Sequence, residues 1–136
     1  MKRIAALILT LAALTACHHS VEMDPGFVEE SGMSLISGKK TLLRYDPLTW
    51  QLSYIPAKRE FRVFSDDMSS YYILSCKTLP REEGEAITAT LEWTGSDGLQ
   101  KKSGAKFTVK KIADDGRIWL WSSSEGLGVV VRMLYP

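Results

Sequence analysis

From Thr41 onward this 136-residue chain reads as a single all-β domain, a small antiparallel barrel or meander of about seven to eight strands, with an immunoglobulin-like sandwich as the alternative. Three observations predict it. Apolar and polar residues alternate with a period of two, turn residues interrupt that alternation every eight to twelve positions, and beyond the first seventeen residues no stretch carries a long 3.6-residue period. The spans that satisfy the pattern are 41–45, 50–55, 60–65, 70–76, 86–94, 105–112, 117–122 and 127–134.

In W-Q-L-S-Y-I-P, Trp50, Leu52 and Tyr54 share a face; Pro56 to Arg59 supplies a turn, and Phe61 and Val63 return together, so the two segments predict a hairpin. Asp66-Asp67 and Ser69-Ser70 then break the chain, because short polar side chains cap turns by bonding nearby backbone amides. The segment A-I-T-A-T-L-E-W-T is the cleanest strand. Ile87, Ala89, Leu91 and Trp93 face the core, whereas Thr88, Thr90, Glu92 and Thr94 face water. Gly95 to Gly98 reads as a turn, followed by a loop rich in Gly, Ser and Lys. Asp114-Asp115-Gly116 gives the next turn, with glycine where a positive φ is needed. That turn predicts Ile112 opposite Ile118 and Val109 opposite Trp121.

The constellation of most interest is Trp119-Leu120-Trp121. Its alternation places both tryptophans on one strand face and Leu120 with Ile118 on the other, so one of two apolar faces needs a second layer or stands exposed. Buried, the tryptophans are core. Exposed, they form a flat platform for a sugar or peptide, with Lys111 or Arg117 at its rim.

The first residues, M-K-R-I-A-A-L-I-L-T-L-A-A-L-T-A-C, have two positive charges, an apolar run from Ile4 to about Leu14 and small residues before a cysteine, which is the layout of a secretory signal peptide. The run is shorter than the ~18–20 residues that span a bilayer as a helix. Leu14-Thr15-Ala16-Cys17 resembles the lipobox of bacterial lipoproteins. That resemblance implies cleavage before Cys17, a diacylglycerol on its thiol, and a mature chain of 120 residues anchored in a membrane. Two or more acyl chains anchor stably where one binds marginally. Residues 17–40 then read as the lipidated N-terminus and a flexible tether, with room for one short strand near Met33–Ile36; about twenty extended residues reach roughly 70 Å. The layout of lipobox, polar tether and one compact β domain is similar to that of small, uncharacterised envelope lipoproteins of Gram-negative anaerobes. It implies a place in the cell envelope, on the outer membrane, without naming an activity.

Composition narrows the chemistry. Without the leader the chain has 15 basic and 16 acidic groups, so no basic face recommends nucleic acid. The only histidines are His18 and His19, beside the cysteine, which leaves Ser-His-Asp and Cys-His arrangements without a base in the domain. Cys17-His18-His19 has the spacing of an amino-terminal copper or nickel site, but acylation of the amine removes a ligand and two imidazoles are fewer than a zinc site uses. No metal and no cofactor are expected. Cys76 ends a strand with no partner and reads as a small buried hydrophobe. The acidic pairs at 66–67, 82–83 and 114–115 sit on turns, not across a cleft. Two functions from different classes follow: a non-catalytic module that binds or assembles with an envelope protein or glycan, or a small ligand carrier or enzyme with a pocket inside the barrel.

Overall fold

The computed structural model describes residues 20–134. Nine strands form one sheet: β1 Ser34–Ser37, β2 Lys40–Arg44, β3 Trp50–Ile55, β4 Glu60–Ser65, β5 Tyr71–Cys76, β6 Ala86–Gly95, β7 Gly98–Ile112, β8 Arg117–Ser122 and β9 Leu127–Arg132. Every pairing is antiparallel, in the order β2-β1-β9-β8-β7-β6-β5-β4-β3. The sheet is a meander from β3 to β9, onto which the β1–β2 hairpin is added, curled into a half-barrel. A single sheet replaces the two of a sandwich.

This order is that of an up-and-down barrel left open between β2 and β3. Strand parity keeps it open: nine strands that alternate in direction bring the first and last parallel, and residues 45–49 cannot join parallel neighbours as a hairpin. Curvature comes chiefly from β7, which has an extra residue against each neighbour. Ala89 pairs with Ala105 but Leu91 with Lys102, a bulge at Gly104 with φ +62°; Val109 pairs with Leu120 but Lys111 with Trp119, a bulge at Lys110.

The bulge at Lys110 corrects one expectation. Ile112 does face Ile118, but Val109 faces Leu120, and Trp121 lies opposite Thr108. The slip keeps Val109 with Leu120 inside and Lys111 with Trp119 outside. A second correction concerns residues 98–104, expected as a loop. They are the first half of β7, paired with β6 through a turn of Ser96 and Asp97, and they lack the apolar alternation because all seven are exposed.

Inside the curl, Leu35, Phe61, Val63, Tyr72, Leu74, Leu91, Phe107, Leu120 and Val129 fill the core. The walls approach each other across it, with β4 near β9, and the Tyr72 hydroxyl on β5 donates to the Val130 carbonyl on β9 at 2.7 Å. Burial pushes the Tyr72 phenol up, as does the nearby Glu30 carboxylate.

The N-terminal segment forms a second layer. Val21 N–H donates to Ser123 O at 2.8 Å, in the β8–β9 turn. A 3₁₀ turn over Pro25–Glu29 starts at Asp24, whose Oδ1 accepts from Gly26 N at 3.1 Å, and seats Phe27 against Trp121 with ring centroids 6.4 Å apart. Lys111 Nζ then donates to Val28 O at 3.1 Å and Arg117 Nη1 to Ser31 O. Phe27, Met33 and Ile36 bury Trp119, Trp121 and Val130 in a smaller core on the outer face of the sheet. The expected tether is therefore, from Val21 onward, a strap across the domain, and the expected start at residue 41 leaves out both the strap and β1. The strap escapes a search for periodicity because single residues, Phe27 and Met33, do its packing.

Gly128 permits this contact. A Cβ there would stand 2.9 Å from an Ile36 side-chain carbon, 3.0 Å from Phe27 and 3.1 Å from Trp121. Gly128→Ala is expected to destabilise the domain by about 1–3 kcal/mol through overpacking. Phe27→Ala should cost about 3–5 kcal/mol in urea denaturation; a loss near zero would mean that the strap does not pack.

Candidate functional site

The sequence singles out Trp119, Trp121, Lys111 and Arg117, and the structure brings all four together on the outer face of β7 and β8. Lys111 Nζ lies 4.6 Å from a Trp119 ring centroid and Arg117 Cζ 5.0 Å from one. Such contacts contribute about 0.5–2 kcal/mol depending on desolvation. Yet Trp119 is 0% and Trp121 4% exposed. The platform is thus covered: the strap occupies the surface that a sugar or peptide would use, and the two cations hold the strap's carbonyls as well as the ring. Cys17, His18 and His19 lie outside the described residues.

Beside this layer is a polar knot. Glu30 Oε2 accepts from the buried Ser34 hydroxyl at 2.9 Å, while its Oε1 pairs with Arg44 Nη1 at 2.8 Å. It ties the end of the strap to β1 and β2. The Arg44 ion pair is the contact made by the buried Oε1, which has no hydrogen-bond partner among the described residues.

An apolar recess lies at one end of the half-barrel. For direction, the end that carries the β3–β4, β5–β6 and β7–β8 connections is termed the distal end, and the end with the β4–β5, β6–β7 and β8–β9 turns the proximal end. The distal cleft, about 590 Å³, is lined by Tyr54, Leu79, Arg81, Ile112, Ile118 and Met133, among others. A polar recess of about 710 Å³ shares Pro56, Leu79 and Arg81 with it and adds Arg59, Lys77 and Glu85. The β5–β6 loop forms the common wall. Glu85 Oε1 accepts from the Arg81 and Glu82 amides, Glu83 Oε2 from Ile112 N at 3.0 Å, and Gly84 N donates to Val109 O at 2.8 Å. Fixed in this way, the loop inserts Leu79 and the buried Pro80 at the barrel mouth.

No protein-family model, curated protein or solved structure matches this chain. The reading of the site therefore rests on its own geometry.

Sequence reasoning missed the cleft because its lining comes from three connections, the strand ends beside them and the C-terminal segment, with no period to reveal it. The available signal was Leu79-Pro80, an apolar pair inside an otherwise polar loop. The acidic pairs cap turns as expected: Asp67 Oδ1 accepts from Ser69 N at 3.0 Å, Ser69 Oγ at 2.7 Å and Ser65 Oγ at 2.8 Å, and Asp115 accepts from Arg117 N and Nε. Among the described residues no group of three or more His, Cys, Asp or Glu is arranged to hold a metal ion.

Hydrogen bonds from the Ser69 amide and hydroxyl and from Ser65 lower the Asp67 carboxyl to about 2 from its ordinary 3.8. The folded value lies below the unfolded one, so what Asp67 adds to stability is complete above the ordinary value and is lost as pH falls through about 2. An NMR titration should find Asp67 still ionised at pH 3, and Asp67→Asn should remove this part of the acid dependence. Cys76 is buried, its thiol pushed up to about 12 by desolvation, with Arg59 opposing. It should resist thiol reagents in the native state at pH 8 and react only as fast as the domain unfolds.

Proposed function

We propose that this chain is a lipoprotein of the bacterial envelope, held at the outer membrane by a lipid on Cys17, and that its β domain is a non-catalytic module whose distal cleft binds an apolar segment of an envelope protein. The lipobox-like Leu14-Thr15-Ala16-Cys17 after a short apolar run supports the anchor. The observation that carries the binding role is the position of the cleft, open to solvent at the end of the domain opposite the place where the chain enters at Val21. A module anchored through its N-terminus would turn that cleft away from its own membrane.

The carrier alternative needs a chamber inside the curl. Leu74, Leu91, Phe107 and Leu120 occupy that volume, each with 0% exposure, so a ligand is better served at the mouth. The cleft has the character of a recognition site: apolar walls from Leu79, Ile112 and Met133, with a few polar groups, Arg81 foremost, at the edge. An extended or turned peptide with one or two large apolar side chains fits this chemistry. A glycan is served less well, because the tryptophans that would stack against it lie under the strap.

Cys17→Ala should abolish incorporation of a labelled fatty acid and release the protein from the membrane fraction; persistence of both label and membrane location would remove the anchor from the proposal. A photo-crosslinking residue at Leu79 should give a discrete envelope-protein adduct that the same residue at exposed Lys106 does not. Identical adduct patterns from the two positions would count against the cleft as the binding site.

A further inference from the structure

We infer that the proximal end of the half-barrel rests on the surface of the lipid bilayer, with Val21, Leu48, Met68 and Leu99 dipping into the interface. The inference rests on the reading of Cys17 as the lipidated residue and goes beyond it: a lipid alone fixes the chain to a membrane, whereas this contact fixes the domain's orientation.

Four large apolar side chains are exposed among the described residues: Leu48 at 88%, Met68 at 62%, Leu99 at 59% and Val21 at 42%. Single exposed apolar residues are ordinary on a soluble surface. Their distribution is not. Met68 is in the β4–β5 turn, and Leu99 is on β7 directly after the β6–β7 turn. Leu48 is in the 46–49 turn, which is bonded to the β4–β5 turn by Asp66 N–H to Thr49 O at 2.9 Å. Val21 is bonded to Ser123 in the β8–β9 turn, and its side chain lies where a Cβ on Gly126 of that turn would meet it at 3.3 Å. All four are therefore at the proximal end. Leu48, Met68 and Leu99 come from connections far apart in sequence, joined by Val21 at the start of the strap.

The second observation is the length of chain available. The strap is bonded to the domain at Val21, so only residues 17–20 separate a lipid on Cys17 from the folded unit, a reach of about 14 Å fully extended. The earlier expectation of roughly 70 Å, enough to stand clear of the head groups, assumed a free tether. With the strap packed, the domain is confined to the head-group region, and the end that carries Val21 is the one that meets it. The occupant of this surface is thus a phospholipid bilayer.

Charge does not drive the contact. At this end Lys39, Lys40, Lys101 and Lys102 stand among Asp46, Asp66, Asp67, Asp97 and Glu125, with Lys102 paired to Glu125 at 3.8 Å, so the attraction comes from apolar insertion to the depth of an interfacial element. Weak insertion suffices, because the lipid raises the local concentration.

The test uses the full chain purified from membranes and reconstituted in phosphatidylethanolamine/phosphatidylglycerol vesicles. Cys76 is buried, so single cysteines placed at Lys39, Met68, Leu99 and Lys58 take a bimane label selectively. Lys58 lies in the β3–β4 turn at the distal end. Quenching by nitroxide-bearing lipid at residues 39, 68 and 99 with none at 58 is the expected result. Equal, weak quenching at all four positions on a chain that floats with the vesicles would overturn the inference and leave the anchor standing. Failure of the full chain to float would overturn the anchor and this inference with it. In a second form, Leu48→Asp, Met68→Asp and Leu99→Asp together, all at exposed positions, should leave folding and flotation intact and lower quenching at residue 39 several-fold; unchanged quenching there would also overturn it.

Discussion

Strands β8 and β9 carry apolar side chains on both faces, Trp119, Trp121 and Val130 outward and Leu120, Val129 and Val131 inward, so no single layer can take them out of water. Curling the sheet covers one face. The other requires chain from outside the sheet, and the N-terminal strap supplies it through Phe27 and Met33. Gly128 follows from the same constraint, since only a residue without a side chain lets Phe27 approach β9 between Ile36 and Trp121. The extent of the domain is set here too: the residues before β1 belong to it because a central pair of strands has no other cover.

The two ends of the half-barrel differ because of strand parity and loop length. The proximal end is closed by tight turns, of which the β6–β7 connection is two residues long, and carries scattered apolar tips. The distal end holds the longer β5–β6 loop, fastened by Glu83 and Glu85, and the space between that loop and Met133 is the cleft. Its depth is limited by the core behind it, which makes it a surface for recognition more than a container.

Most of the fold was legible in the sequence. Eight of the nine strands follow from alternation and turn residues, with ends displaced by at most two positions except at the start of β7. The Asp-Asp-Gly turn fixed Ile112 against Ile118, but the register beyond it was hidden, because a bulge at an exposed lysine leaves no mark in the pattern of hydrophobicity. The first half of β7 was hidden for the opposite reason: Gln100, Lys101, Lys102 and Ser103 are exposed, so the strand is held by backbone pairing with β6 and not by burial. The candidate site was less legible. Alternation showed that Trp119 and Trp121 share a face and that this face needs a cover, yet it could not show that residues 21–33 are the cover. The distal cleft was invisible because it is made by loops meeting in space.

Closure of the sheet between β1 and β9 joins the two extremes of the domain, Leu35 pairing with Val129. During synthesis neither the strap nor β1 has a surface to bind until the last strand has emerged, so the N-terminal third stays uncommitted while the meander is being made. Contacts of such long sequence separation form late and slow the overall rate. The topology thus delays the native state until the C-terminal strand is available, and the order of synthesis is the reverse of the order in which the outer layer can close.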